Sequence, residues 1–331
     1  MPAARLTLEE KSTGGDAEDA EKNSPNLFAM KILISGASGL VGTAATNALR
    51  ADGHTVGHFV RRGRTAGAGD VAWDPTAATI DLAATEGADA ILHLSGASIG
   101  DGRWTSNRKR ILRSSRLGTT RVLVDALAKV QQKPRIFLAA SAIGYYGDRG
   151  DEVLTEASSN GRGFLAQLTR DWEAESLRAQ ELRMRTVLLR FGVILSTRGG
   201  ALPKMLTPFK FGLGGRLGSG RQWMSWVALE DVVGAIRMAL TDERFAGPVD
   251  IVAPKPVQNA DFTRGLALAV RRPAMFPAPA FMLRLALGEM ANELLLTSQR
   301  VRAEKLLAAG FKFQHEDLES ALRAIVVEGQ G

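Results

Sequence analysis

The chain has 331 residues, 45% hydrophobic and 23% charged, with a formal net charge of +7. That is enough for a sizeable core in one large domain or two smaller ones, and it excludes disorder, collagen and coiled coil for the main body. With no cysteine there are no disulfides, thiolate metal sites or thiol nucleophiles, which fits a cytoplasmic setting, and the four histidines, His54, His58, His93 and His315, form no ligand-like cluster, so no metal is expected.

Residues 1–29 read as a flexible polar tail: they lack the apolar centre of a secretory signal and carry many acids. Met30 opens the first strand, so translation beginning there is a further expectation. The run "KILIS" at 31–35 reads as a strand, followed by Gly36, Gly39 and Gly42 and then a helix over 40–51. Gly36 permits a tight turn, Gly39 lets the backbone approach a pyrophosphate, and Gly42 lets the helix pack on the strand. Free amides around Ser38, Leu40 and Val41 at the helix start then face the anion. This glycine spacing in its strand–turn–helix setting points to a dinucleotide.

The next strand, 55–60, ends in Arg61, Arg62 and Arg64 rather than in the acid that accepts bonds from NAD ribose hydroxyls. An acid there would repel a 2′-phosphate, whereas each guanidinium offers it charge-assisted bonds worth ~1.5–3 kcal/mol, so NADP(H) is the expected cofactor. Surface arginines on a loop are the alternative. Trp73 and Asp74, after the strand at 71–73, are placed either beside the adenine or in the core and a turn. The strand at 90–94 carries His93 on an apolar run, read as a satisfied buried imidazole, and runs into Leu94, Ser95 and Gly96 at the carboxyl edge where doubly wound sheets bind ligands.

The densest basic patch, Asn107 to Arg116, continues as an amphipathic helix within 105–129 and reads as a solvated face, so no nucleic-acid partner is expected. A strand at 135–140 leads to Ser141, Tyr145 and Tyr146; a helix at 163–180 and a strand at 186–191 follow. Arg190 and Gly192, in "RFGV", are read as offering backbone groups to the nicotinamide amide. Strict alternation of strand and helix predicts an α/β fold with a parallel sheet covered on both faces. Beyond Ser196 a crossover segment at 197–230, rich in Gly, Pro, Met and Trp, passes over the nucleotide domain. Leu202, Met205, Phe209, Trp223, Met224 and Trp226 form either an apolar substrate wall, with Arg221 as an anion clamp, or an interdomain core. A helix in "LEDVVGAIRMALTD" and a strand in "GPVDIVAP" complete a domain of 30–256, and 257–325 reads as a small helical lobe. "PAFMLRLALGEMANELLL" is interrupted by Arg284 and Glu289 and falls short of a membrane span.

The motifs "ILISGASGLVG", "DAILHLSG", "AASAIGYYGD", "LLRFGVIL" and "SWVALEDVV" resemble landmarks of the extended short-chain dehydrogenase/reductases. "RWTSNRKRILRSSRLGTTRVLVDAL", "DWEAE", "GLGGRLGSGRQWMSWVALEDV" and the tail from Arg272 to Phe313 resemble the NAD(P)-dependent epimerase/dehydratase-like subgroup with a C-terminal domain of unknown function. The resemblance covers about residues 30–325. It implies a Rossmann-type doubly wound sheet binding NADP(H), with substrate between that sheet and the helical C-terminal part. In relatives a Ser or Thr after the fifth strand binds substrate, and Ser141 matches it; a Tyr in Y-x-x-x-K transfers the proton.

Here that second element fails. About two dozen residues after Ser141 the chain reads "FLAQL", and it has no lysine between Lys133 and Lys204. Phe164, Leu168 and Trp172 recur every four residues as an apolar stripe. If hydride chemistry occurs, Ser141 orients the substrate oxygen and Tyr146, or else Tyr145, is the proton donor. The expected function is an NADP(H)-dependent oxidoreductase or epimerase-like protein acting on a small carbonyl, alcohol or sugar-nucleotide-like substrate. The alternative is a cofactor-binding sensor without catalysis.

Overall fold

The computed structural model describes residues 29–61 and 67–328. Arg62, Arg64 and residues 1–28 of the N-terminal tail lie outside the described residues. Eight strands form one sheet: β1 Lys31–Ser35, β2 Thr55–Arg61, β3 Val71–Asp74, β4 Thr79–Ile80, β5 Ala90–His93, β6 Ile136–Ala142, β7 Arg185–Phe191 and β8 Gly247–Ile251. Their order is β8-β7-β6-β5-β1-β2-β3-β4. All neighbours are parallel except β3 and β4. Strand order reverses about β1, which puts a topological switch point between β1 and β5.

The helices are α1 Leu40–Ala51, α2 Leu82–Thr85, α3 Ser106–Arg113, α4 Thr119–Leu127, α5 Phe164–Leu177, α6 Leu202–Lys210, α7 Leu229–Thr241, α8 Asn259–Val270, α9 Ala280–Leu287, α10 Glu304–Ala308 and α11 Leu318–Glu328. Successive side chains on a strand point to opposite faces, so both faces of a central strand must be apolar. β1 shows the consequence: Ile32 and Ile34 pack with Leu49, Val232 and Ile236 of α1 and α7. Leu33 faces the other way, toward Leu123 and Leu127 of α4. Among the described residues no helix is long and apolar enough to cross a membrane.

Two sequence expectations are refined here. The single helical pattern at 105–129 is two α-helices joined by a π-helical turn, Ser114–Gly118. The crossover is ordered: it contains α6, pairs Trp226–Ala228 in parallel with Val193–Leu195, and pairs Trp223–Met224 antiparallel with Val257–Gln258. Leu202, Phe209 and Trp226 are buried with Phe262, Leu266 and Leu322 of α8 and α11, and Met205 and Met224 pack against them, so these members of the wall belong to a core shared with α8 and α11. Arg221 is exposed.

After α9 the C-terminal segment returns to the main domain. Arg300–Val301 pairs in parallel with Val153–Leu154. Val301, Ala303 and Leu306 join the core beside α7 and β8, with Phe311 and Phe313 packed against it. Buried Asp231 on α7 accepts from the amides of Gln314 (2.6 Å) and His315 (3.1 Å).

Candidate nucleotide site and the buried network behind it

The glycine turn lies at the carboxyl end of β1. Gly36 has φ +73°, and a Cβ there would come within 2.7 Å of the Leu94 carbonyl oxygen at the end of β5. A Cβ on Gly42 would lie 2.3 Å from the Gly36 carbonyl oxygen. Both positions therefore need glycine for close backbone approach. Gly39 differs: it is exposed, and its Cβ would meet only one atom, the Gly36 oxygen at 3.2 Å. Gly39 caps α1 without a side-chain bond, and the first intrahelical donor is Thr43, bonded to the Gly39 carbonyl at 2.9 Å. The amides of Leu40, Val41 and Gly42 thus have no acceptor among the described residues, and Ser38 is exposed beside them. A helix end of this kind attracts an anion, and the residues present fit a dinucleotide pyrophosphate.

Arg61 ends β2 in an exposed position opposite Trp73. Trp73 is in the core against the Phe59 ring, 5.5 Å away. The Asp74 Oδ1 accepts from the amides of Thr76 (2.9 Å) and Ala77 (3.2 Å). Its carboxylate therefore closes a turn, the arrangement given above as the alternative to an adenine contact. His93 is fully buried, with Nδ1 2.6 Å from Ser35 Oγ and Nε2 3.0 Å from Thr120 Oγ1. Burial pulls its pKa down to about 4, leaving a neutral imidazole. Beyond it Leu94 is half-buried, Ser95 is buried and Gly96 is exposed, forming the lip of the carboxyl edge.

Ser141 and Tyr146 both enter one buried network. Ser141 Oγ donates to Glu173 Oε1 at 2.5 Å. The Arg190 guanidinium grips the same carboxylate with two bonds of 2.8 Å, from Nε and Nη2. Its Nη1 donates to the Tyr146 hydroxyl at 2.9 Å, and that hydroxyl lies 2.7 and 2.9 Å from the Asp250 oxygens and 2.9 Å from the Thr155 carbonyl. Burial, with Glu156 adding to it, raises the Asp250 carboxyl well above its ordinary range. Burial and the neighbouring Asp250 raise the Tyr146 phenol. For Arg190, burial opposes the charge but the Glu173 bonds outweigh it, raising the pKa.

Three site expectations are thereby corrected. Tyr146 is fully buried with its hydroxyl committed, so it is not an open proton donor. Ser141 is 3% exposed and its hydroxyl serves Glu173. Arg190, expected to offer backbone groups to the nicotinamide, lies inside the ladder between Ser141 and Asp250, and its side chain neutralises a buried acid. The reason is common to all three: a guanidinium set inside a parallel sheet must be compensated, and each polar neighbour is drawn into doing so. Gly192 likewise spends its amide on the Ile251 carbonyl at 3.1 Å, and a Cβ there would come within 2.7 Å of the Ser225 carbonyl oxygen. Its glycine answers to packing rather than to a nicotinamide contact. Sequence reasoning missed Glu173 and Asp250; the signal available was an acid on the apolar face of one helix and another inside an apolar strand.

Tyr145 remains. It is half-buried, its hydroxyl has no bond among the described residues, and the Arg190 guanidinium carbon lies 3.6 Å from its ring centroid. Where Y-x-x-x-K was sought, Leu168 is 1% exposed and Phe164 packs edge-on to Trp104 at 5.3 Å, with Lys109 Nζ 4.8 Å from its ring. Glu293, from the C-terminal part, accepts from the first α5 amides, Phe164 at 3.1 Å and Leu165 at 3.0 Å.

Comparison with known proteins agrees with this architecture. Residues 32–252 match the NAD dependent epimerase/dehydratase family, and residues 278–325 match a domain of unknown function, DUF1731. An epimerase family protein of Mycobacterium leprae is 42% identical over 88% of this chain and 94% of its own length. Epimerase family protein YfhF of Bacillus subtilis is 36% identical over 90% of this chain and 99% of its own. The crystal structure of human epimerase family protein SDR39U1 with NADPH superposes with a TM-score of 0.80 at 31% identity, covering 90% of this chain and 99% of that one.

Proposed function

The chain belongs to the NAD dependent epimerase/dehydratase family, and from that premise we propose that it binds NADP(H) across the β1–β5 edge and acts on a small carbonyl, alcohol or sugar-nucleotide-like substrate by hydride transfer. The observation that carries the reading is the open first turn of α1: three amides without acceptors among the described residues, presented by glycines that pack too closely for any side chain at 36 and 42. The human relative crystallised with NADPH supports the same cofactor. Leu40, Val41 and Gly42 hold the diphosphate through main-chain amides, with exposed Ser38 and Gly39 beside it. Arg61 and Arg62 hold the 2′-phosphate, and Leu94, Ser95 and Gly96 line the path toward the nicotinamide. NADP(H) supplies the hydride or accepts it.

Tyr145 is the phenol left to exchange a proton with a substrate oxygen, its ring held by Arg190. The lack of cysteine fits a cytoplasmic setting. A second reading, a sensor that binds cofactor without turnover, is favoured by one observation: Phe164 and Leu168 stand where the usual Tyr and Lys would act, and both are packed.

Calorimetry tests the cofactor. NADPH is expected to bind at least about tenfold more tightly than NADH, and Arg61→Ala with Arg62→Ala to remove the difference. Equal affinities in the parent would refute the choice. NADPH oxidation over a panel of carbonyl compounds, lost in Tyr145→Phe, supports the enzyme; tight binding without any turnover supports the sensor.

A further inference from the structure

A second basic feature lies on the other side of the β5 lip. Arg116 sits in the π-helical turn at 114–118 and points inward, its guanidinium carbon 5.2 Å from the centroid of the Trp172 ring. Nη1 donates to the carbonyls of Ala97 (3.0 Å) and Leu112 (3.4 Å). Nε and Nη2 have no acceptor among the described residues. Arg108, two turns earlier on α3, donates from Nη2 to the Ser98 carbonyl, while its Nε is buried with no partner among the described residues.

No carboxylate lies within ion-pair distance of either guanidinium among the described residues. Asp101, the acid that feels the Arg108 charge, is paired with Lys204 at 2.7 Å. Arg190 provides an internal comparison: buried where Arg116 and Arg108 are half-buried, it has the bidentate Glu173. A guanidinium keeps its proton under any ordinary condition, so two of them converging on one loop call for an anion. Burial, with the Arg108 charge second, pulls the Arg116 pKa down to about 10, as expected of a cation lacking its counter-charge.

The loop they converge on is Gly96–Ser98, which leaves β5 at the carboxyl edge next to the glycine turn. Gly96 is exposed, and a Cβ there would stand 3.3 Å from the Arg116 guanidinium carbon, so the glycine leaves that face uncovered. π-Helical turns of this kind recur at functional sites because they redirect one side chain out of helical register.

We propose that Arg116, assisted by Arg108, forms an anion subsite for the substrate, taking a phosphate or carboxylate group of the molecule held beside the cofactor. The inference rests on the NADP(H) reading only for its location. The same chemistry could serve the cofactor's own diphosphate, and the test separates the two sources.

The experiment is calorimetric titration of inorganic phosphate, and separately acetate, into the protein saturated with NADPH, for the parent, Arg116→Gln, Arg116→Lys and Arg108→Gln. The expected result is one anion site in the parent, weakened at least tenfold in Arg116→Gln, less in Arg116→Lys and severalfold in Arg108→Gln, with NADPH affinity within twofold throughout. Absence of anion binding in the parent, or equal binding in Arg116→Gln, overturns the subsite. A tenfold loss of NADPH affinity in Arg116→Gln also overturns it, giving the guanidinium to the cofactor. If the parent takes up no NADPH the functional reading fails by itself, and the same phosphate titration of the free protein then decides the subsite. Arg108→Gln, on a half-exposed residue, keeps the test decisive should Arg116→Gln fail to fold.

Discussion

His93 has both ring nitrogens bonded inside the β1–β5–α4 interior, so it cannot take a proton without leaving one of those bonds unmade or reversed. Its pKa falls from 6.5 to about 4 on folding. Below the unfolded value the unfolded chain binds the proton and the folded one does not, so stability contributed at neutral pH is lost as pH drops from 6.5 toward about 4, by roughly 3 kcal/mol in all. Denaturant midpoints of the parent and His93→Gln across that window should diverge, the variant losing less; parallel losses would contradict the assignment. Glu173 makes the opposite case. Glu173→Ala would strand a buried Arg190 and is expected to cost about 3–5 kcal/mol, measured by urea unfolding, because a lone buried cation is worse than the pair or neither. His93 could be read from its apolar flanks, which leave an imidazole little room to be anything but enclosed. Arg116 could not: it lies one turn from buried Leu112 and one from buried Thr120, yet the run of basic residues around it reads as a solvated face, and only the fold shows what its guanidinium touches.

At the scale of elements, the glycine turn and α1 agree with their sequence pattern because most requirements are local: the positive φ of Gly36, the close approach of Gly42 to Gly36 and the helix start lie within seven residues, and only the packing of Gly36 on Leu94 reaches across to β5. Helix α5 depends on something distant. Its entry residue, Gly163, has φ +106°, no side chain caps it from its own segment, and Glu293 supplies both bonds to the opening amides. A Cβ on Gly163 would lie 2.2 Å from Glu293 Oε1, so glycine here also makes room for that carboxylate. Glu293→Ala should lower stability by about 1–2 kcal/mol, as removal of a helix cap does, with Phe164 becoming more accessible; unchanged unfolding midpoints would dismiss the cap. Ser141 and Tyr146 were legible as the end of β6 and the turn after it, but not as members of a network. Their partners Glu173, Arg190 and Asp250 come from α5, β7 and β8, 32 to 104 residues away.

For the whole molecule, the return of residues 300–315 to the main core makes the C-terminal part mechanically one with the nucleotide domain. Thermal unfolding followed by the fluorescence of Trp223 and Trp226 should therefore coincide with loss of sheet by circular dichroism. Saturating NADPH, bound at the far end of the chain, should raise both together by several degrees, since about 2.7 kcal/mol accrues at one hundred times Kd. Two separate transitions would mean an independent lobe. What the sequence determined alone was the strand–helix alternation, the glycine turn and the apolar stripe where a Tyr and Lys are wanting, all carried by periodicity and neighbours along the chain. Tertiary structure decided which polar groups face each other: that Tyr146 is shut away while Tyr145 is open, that Arg190 is neutralised while Arg116 is not. Burial and charge compensation are properties of packed surfaces, and residues far apart in sequence acquire them only when the sheet is assembled.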